Sequence, residues 1–425
     1  MDIAELYKIF SLAEGISTDT RKITPNCLFF ALKGENFNGN KYASTALANG
    51  AIAAVIDEDE YHTEGTILVK DVLTTLQKLA NYHRKQLNTT IISLTGSNGK
   101  TTTKELIKSA LATTYKTVAT QGNLNNHIGV PLTLLSITKD TEFAVVEMGA
   151  NHLKEIELLC TIAEPDFGYI TNFGKAHLEG FGSLEGVVKG KSELYHFLMN
   201  HNRPIFYNAD DAKQSEILKD YPNKYSYSFE NGNSNITLSK TSNTSAASVT
   251  INNIEITSNL TGTYNLPNIA AAILIASHFK IDIATIKKGI EDYTPTNNRS
   301  QILKTATNTL ILDAYNANPT SMTAALENLK NLEANHTMVI LGDMFELGKD
   351  SSFEHQNIIN LTKELNFTKV ITLGEHFYNT NSSHLKFTSY DELKSYLKNL
   401  DIHNYTILIK GSRGMQMERL LEILQ

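Results

Sequence analysis

The chain has 425 residues, enough for about three domains at roughly 150 residues each, which excludes a single small binding module. Its 41% hydrophobic and 20% charged residues belong to a soluble globular class, and 38 basic against 45 acidic side chains, net −7, exclude a sequence-independent nucleic-acid binder. No cationic leader surrounds Asp2 and Glu5, no apolar run approaches the ~20 residues of a membrane span, and Cys27 and Cys160 lack a CxxC partner, so a cytoplasmic protein with two core thiols is expected.

The pattern predicts an α/β protein of three units, 1–88, 89–294 and 295–425. In the first, β-like runs at Cys27–Leu32, Ala51–Ile56 and Thr66–Val69 precede a helix over Val72–Arg84. In the second, apolar runs at Ile91–Thr95, Phe143–Glu147, Phe167–Thr171 and Pro204–Asn208 alternate with helical patterns, as in a buried parallel sheet. A polar interval, Glu230–Ser248, leads to a hairpin-like segment at Val249–Leu260 and a helix over Leu266–Lys280. A linker is expected near Tyr293–Asn298. The third unit places strands at Thr309–Asp313, Met338–Asp343, Val370–Gly374 and Ile407–Gly411, with helices starting near Pro319, Phe353, Tyr390 and Met415. Its strand ends carry Asp313, Asp343, Gly374 and the Lys410-Gly411-Ser412 group, where open parallel sheets hold ligands.

The strongest local signal is Thr95-Gly96-Ser97-Asn98-Gly99-Lys100-Thr101-Thr102, between a strand and a helix predicted over Thr103–Ala112. Glycines allow a tight turn whose amides face phosphate oxygens, Lys100 adds a point charge, and Thr101 can offer its hydroxyl to Mg²⁺. The usual phosphate-loop pattern has glycine where this chain has Leu94. Glu147, ending the strand beside this loop, is suited to the same cation. His177 follows another strand and, by itself, is an ordinary loop histidine. In a helix over Gly186–Met199, Val187, Val188, Leu194, Tyr195 and Leu198 form one stripe with Lys191 in its middle, whereas Lys189 faces away. Lys191 must therefore snorkel, pair with an acid, or lose its charge by a depressed pKa or covalent modification; snorkelling is the simplest of the three. Asn268 opens a helix, and Asp313 to Pro319, including Asn316, ends a strand and caps the next helix. Arg299, in the linker, could reach a phosphate held by the neighbouring domain once the two close.

These segments, with Ser17–Lys22, Phe29–Gly34, Gly122–Pro131, Glu147–Gly149, His177–Ser183, Leu341–Gly348 and Lys410–Arg413, resemble the Mur ligases over essentially the whole length. Leu94 is that family's usual variant of the loop. The resemblance implies a small α/β N-terminal domain binding a UDP-sugar, a central P-loop parallel-sheet domain of ATPase type, and a C-terminal Rossmann-like domain binding the incoming dipeptide. It implies that Gly96, Asn98, Gly99, Lys100, Thr101 and Thr102 hold ATP phosphates, that Asn268, Asp313 and Asn316 position the adenosine, and that Arg299 meets the γ-phosphate. Two Mg²⁺ ions would be held by Thr101 and Glu147, and by His177 with Lys191 carbamylated from CO₂ or bicarbonate. Ser17, Thr18, Asp19, Arg21, Lys33, Gly34 and Asn126 would bind UDP-MurNAc-tripeptide; many relatives have His where this chain has Asn40. Asp343, Lys410 and Ser412 are candidates for a D-alanyl-D-alanine pocket. The implied reaction joins that dipeptide to the tripeptide carboxylate through an acyl phosphate, in peptidoglycan synthesis, by a monomer with no nucleic-acid partner. Rival readings are a relative adding the third stem residue, a folylpolyglutamate synthase-like enzyme, and a P-loop switch or motor that makes no bond.

Overall fold

The computed structural model describes residues 1–230, 232–241, 246–296 and 299–424; residues 231 and 242–245 of the polar interval, and 297 and 298 of the linker, lie outside the described residues. The N-terminal unit opens on α1 (Ile3–Phe10), whose Asp2 and Glu5 form a capping box. Its parallel sheet runs β1 (Ile16–Ser17), β2 (Leu28–Phe30), β3 (Ala53–Ile56) and β4 (Thr66–Leu68) in that spatial order, with α2 (Ala43–Ala48) between β2 and β3 in sequence. Next, α3 (Val72–Lys85) packs its apolar stripe on the central unit, against the helices Gly129–Leu135 and Glu155–Ala163. Cys27 and Cys160 are buried free thiols.

The central sheet is fully parallel. Its strands are β5 (Thr90–Thr95), β6 (Thr117–Ala119), β7 (Phe143–Glu147), β8 (Phe167–Ile170), β9 (Ile205–Asn208), β10 (Lys224–Ser228) and β11 (Ile236–Thr237), in the spatial order β11-β10-β9-β8-β5-β7-β6. Alternation along β7 explains why it reads as apolar throughout: Ala144 and Val146 enter one core and Phe143 and Val145 the other. The chain leaves β5 to one side for β6 and β7, then crosses to β8 on the other. That reversal puts a crevice at the carboxyl ends beside β5. The helices of this unit include α4 (Lys100–Ala112), α5 (Gly129–Leu135), α6 (Glu155–Ala163), α7 (Leu178–Phe181) and α8 (Leu184–Asn200). Helix α4 starts three residues before the expected Thr103, because Thr103 N–H already bonds the Gly99 carbonyl at 2.8 Å; the phosphate-loop tail is thus its first turn. A small antiparallel sheet follows, β12 (Ser239–Lys240), β13 (Ser248–Ile251) and β14 (Ile254–Thr257), and then α9 (Leu266–His278) and α10 (Ile283–Asp292) pack on α4.

The C-terminal sheet has the spatial order β15 (Gln301–Lys304), β16 (Thr309–Asp313), β20 (Thr406–Lys410), β17 (Thr337–Gly342), β18 (Lys369–Leu373) and β19 (Leu385–Phe387). All pairs are parallel except β15 with β16, an antiparallel edge that the sequence pattern did not reveal. The main helices are α11 (Pro319–Asn331), α12 (Ser351–Leu365), α13 (Glu375–Tyr378) and α14 (Tyr390–Lys398). Parallel register places Asp313 directly beside Lys410 at the carboxyl end of the sheet.

Candidate active site

The phosphate loop owes its shape to two glycines. Gly96 (φ +143°) lies so close to the β8 end that an added Cβ would fall 2.0 Å from Thr171 Oγ1, and at Gly99 (φ +79°) one would fall 2.6 Å from Asn268 Oδ1. Hydrogen bonds fix the turn: Ser97 Oγ donates to the Gly174 carbonyl at 2.9 Å and Asn98 N–H to Asn172 Oδ1 at 3.1 Å. Lys100 Nζ folds back on its own loop, donating to the Gly96 and Ser97 carbonyls at 2.7 and 3.2 Å. Burial, opposed by Glu147 and aided by Arg299, lowers its pKa to about 8.

Glu147 is buried at the end of β7. Its Oε2 accepts the Thr101 hydroxyl at 2.9 Å and its Oε1 the Asn125 amide at 2.8 Å. Two participants escaped the sequence reading. Asn125 lies within the Gly122–Pro131 segment, and Lys104 is fully buried with its Nζ 3.9 Å from Glu147 Oε2 and 2.6 Å from the Thr120 carbonyl. Lys104 stands one helical turn after Lys100, and that spacing was its only signal.

Lys191 overturns the snorkelling expectation. It is 0% exposed, its Nζ donates to the Ala150 carbonyl at 2.8 Å, and it sits 5.1 Å from the Phe181 ring centroid. Its helix neighbours Gly190, Ser192, Leu194 and Tyr195 are buried too, so the amine does not snorkel to the surface. Among the described residues it makes no ion pair, and burial, reinforced by Lys100, pushes its pKa well below the usual lysine value. His177, in left-handed backbone (φ +53°), pairs through Nδ1 with the Glu346 carboxylate, which holds that carboxyl below its ordinary range.

A cleft of about 610 Å³ lies between the central and C-terminal units. Lining it are Asn98, Gly99, Lys100, Thr101, Thr102, Asn126, Glu147, His177, Asn268, Arg299, Asp313, Asn316 and Lys410, so most of the predicted nucleotide residues meet in one place. The Arg299 guanidinium stacks 3.7 Å over the Tyr315 ring, and among the described residues Arg299 Nε and Asn98 Nδ2 are buried without an acceptor. Asp313 Oδ2 receives Lys410 Nζ at 2.6 Å, while Lys410 also donates to the Asn316 carbonyl at 3.1 Å. Asn268 caps nothing: its amide joins Thr103 Oγ1 (3.0 Å) to Asn265 Oδ1 (2.8 Å). Asn318 Nδ2 reaches across the cleft to Asn98 Oδ1 at 2.8 Å.

Of the predicted residues still to be placed, all but Asn126 lie outside the cleft. Gly96 packs the loop against Thr171, and Lys191 is enclosed between the Ala150 carbonyl and the Phe181 ring. Asp343 accepts the His376 and Phe377 N–H groups at 2.9 Å each, fixing the start of α13, and Ser412 Oγ accepts from Phe345 N–H at 2.9 Å. Asn126 Oδ1 accepts from Ile128 and Gly129 N–H. In the N-terminal unit Ser17 Oγ donates to the Asp19 carbonyl, Thr18 lies between them, Arg21 forks onto Asp19, and Lys33 at the Gly34 turn pairs with Asp57 at 3.0 Å. Asn40, almost fully buried, is engaged with Asp57 at 2.9 Å.

Three family models match the chain: the catalytic domain of the Mur ligase family over residues 13–92, the Mur ligase middle domain over 94–276, and the glutamate ligase domain of Mur ligases over 298–413. The chain is 36% identical to the UDP-N-acetylmuramoyl-tripeptide–D-alanyl-D-alanine ligase of Buchnera aphidicola, covering 96% of this chain and 91% of that protein. It is 34% identical to the Bacillus subtilis ligase of the same name, covering 97% and 93%. Among solved structures it is similar to MurF from Acinetobacter baumannii (29% identical, TM-score 0.87, 99% of this chain and 97% of that one). It is also similar to MurF from Thermotoga maritima in complex with ADP (25%, TM-score 0.85, 97% of each). Folylpolyglutamate synthase from Thermotoga maritima shares the fold at 13% identity and TM-score 0.61, covering 83% of this chain and 93% of that one.

Proposed function

Since the chain belongs to the Mur ligase family, we propose that it is the ADP-forming amide ligase that joins D-alanyl-D-alanine to UDP-MurNAc-tripeptide in peptidoglycan synthesis. Residues 1–88 hold the UDP-sugar end, 89–294 the ATP, and 295–425 the dipeptide. The observation that carries this reading is the convergence, in one interdomain cleft, of the glycine-rich loop and Lys100 with Arg299, whose buried Nε has no acceptor among the described residues. A guanidinium with an unsatisfied N–H beside a phosphate cradle suits a γ-phosphoryl group.

In the first step the free tripeptide carboxylate attacks the γ-phosphorus of ATP and the bond to ADP breaks, giving an acyl phosphate. Lys100, Arg299 and the loop amides offset charge that would keep two anions apart. In the second step the dipeptide amine attacks the acyl carbon, and the tetrahedral intermediate collapses with loss of inorganic phosphate and a proton. Asn98–Asn318 joins the two sides of the cleft and Asp313–Lys410 braces its C-terminal wall, positioning the reactants and excluding water that would hydrolyse the acyl phosphate.

The donor set fits a hard cation. The Thr101 hydroxyl and Glu147 carboxylate adjoin at 2.9 Å, and among the described residues no three His, Cys, Asp or Glu converge, which suits an ion completed by phosphates and water. Thr101 and Glu147 would hold one Mg²⁺, and His177 with carbamylated Lys191 a second. Bound there, the ions would neutralise phosphate charge. Lys191 supports this reading because a neutral buried amine can add to the carbon of CO₂ and shed a proton, turning a stranded base into an anion. No helix of the described residues is long and apolar enough to cross a membrane; the enzyme acts in the cytoplasm as a monomer, in the wall synthesis that cell shape and division require.

The test is ADP release. Turnover should require UDP-MurNAc-tripeptide and D-alanyl-D-alanine together. Preference for a single amino acid would favour the third-residue or folylpolyglutamate reading, and phosphate release without a carboxylate–amine pair would favour a nucleotide switch.

A further inference from the structure

The Leu341–Gly348 segment takes no part in the steps above, yet Glu346 reaches out of the C-terminal unit and grips the central unit at two points. Its carboxylate meets His177 Nδ1, 169 residues away in sequence, and its backbone carbonyl accepts the Glu179 N–H at 3.1 Å. Both partners hold left-handed backbone, φ +53° at His177 and +62° at Glu346, a conformation that costs non-glycine residues energy and persists where surroundings over-determine it. The His177 side chain is only 19% exposed and lines the cleft. With Nδ1 occupied, Nε2 is the ring nitrogen left for the cleft. A carboxylate behind an imidazole fixes its tautomer and its rotation.

We propose that Glu346 is a positioning residue for His177: it holds the ring as the Nδ1–H tautomer with the Nε2 lone pair available to the cleft, and, coming from the other domain, does so only when the two domains are together. The proposal rests on the cleft being the reaction site. A second contact between the same two units, Lys175 Nζ to Glu354 Oε1 at 2.7 Å, joins them without touching His177 and supplies the control.

The test uses the full chain with ¹⁵N-labelled histidine, metal-free, with ADP, at mildly alkaline pH; the His177 signals among the 13 histidines are assigned with His177→Gln. Wild type should show His177 as the Nδ1–H tautomer. Glu346→Ala should shift it toward Nε2–H, Glu346→Gln, which keeps an acceptor, should retain it, and Lys175→Met should leave it unchanged. In turnover, Glu346→Ala should lower kcat about tenfold to a hundredfold, with the KM for ATP nearly unchanged and Glu346→Gln intermediate. Identical His177 signals in wild type and Glu346→Ala, an Nε2–H ring in wild type, or an equal effect of Lys175→Met would overturn the proposal. If wild type fails to turn over the two substrates, the functional reading falls, while the tautomer measurement still decides the role of Glu346.

Discussion

Replacing Lys410 by Met tests whether the cleft is built on a buried ion pair. The Lys410 and Asp313 side chains are 2% and 16% exposed and their charged atoms lie 2.6 Å apart. At an effective dielectric of 20 that separation corresponds to about 6 kcal/mol of attraction, which sets a ceiling because desolvation of both groups offsets much of it. Removing the cation leaves Asp313 with only the Ser300 N–H, at 3.3 Å, among the described residues. An orphaned carboxylate at this depth costs about 3–5 kcal/mol, so K410M should destabilise the C-terminal unit by that amount. The doubly substituted Asp313→Asn/Lys410→Met chain should lose clearly less than the two single losses added together, since neither charge is then stranded. The chain has no Trp, so urea unfolding is followed by far-UV circular dichroism, reading the transition of the C-terminal unit. A loss below about 1 kcal/mol for K410M, the range of exposed pairs, would refute the reasoning.

Lys191→Ala should abolish ADP release, and short carboxylic acids should partly restore it; full activity in the variant would make the buried amine a packing element alone. Arg299→Ala should slow acyl phosphate formation by about a hundredfold while weakening ATP binding far less, and equal losses in single-turnover rate and ATP affinity would contradict a transition-state role. His83 should confer acid sensitivity. Burial lowers its pKa below the ordinary 6.5, with the Ile137 carbonyl opposing at 2.8 Å and the Tyr7 hydroxyl at its other nitrogen. Below 6.5 the folded chain therefore binds fewer protons than the unfolded one. This contribution to stability is full above 6.5 and is lost as pH falls toward the depressed folded value. His83→Gln should flatten the acid limb of thermal stability, and an unchanged slope would exclude the histidine as its source.

Where a residue's role is set by its own element, the sequence alone reveals it. The inward direction of Lys191 follows from the 100° step of its helix, and the phosphate loop from a strand, two glycines and a helix start. Its burial did not follow, because snorkelling depends on what packs over the helix. Contacts across domains were equally hidden: Asn98 with Asn318 spans 220 residues, and no periodicity reports such a meeting. Asp343 shows the opposite limit. A carboxylate at a strand end resembles a ligand site, and only the course of the following chain shows both its oxygens bonded to the start of α13. The edge strand β15 escaped notice because Gln301 to Lys304 is half exposed and lacks the continuous apolar run of its neighbours.

The stacking of Arg299 on Tyr315, with Ser300 N–H bonded to Asp313, ties the guanidinium to the C-terminal unit rather than to the phosphate loop it faces. Any separation of the two units would carry the arginine away from Lys100 and the rest of the phosphate loop. On the ligase reading proposed above, ATP would then meet its full set of cations only when the unit assigned to the acceptor amine is in place, which would spare the nucleotide from idle hydrolysis.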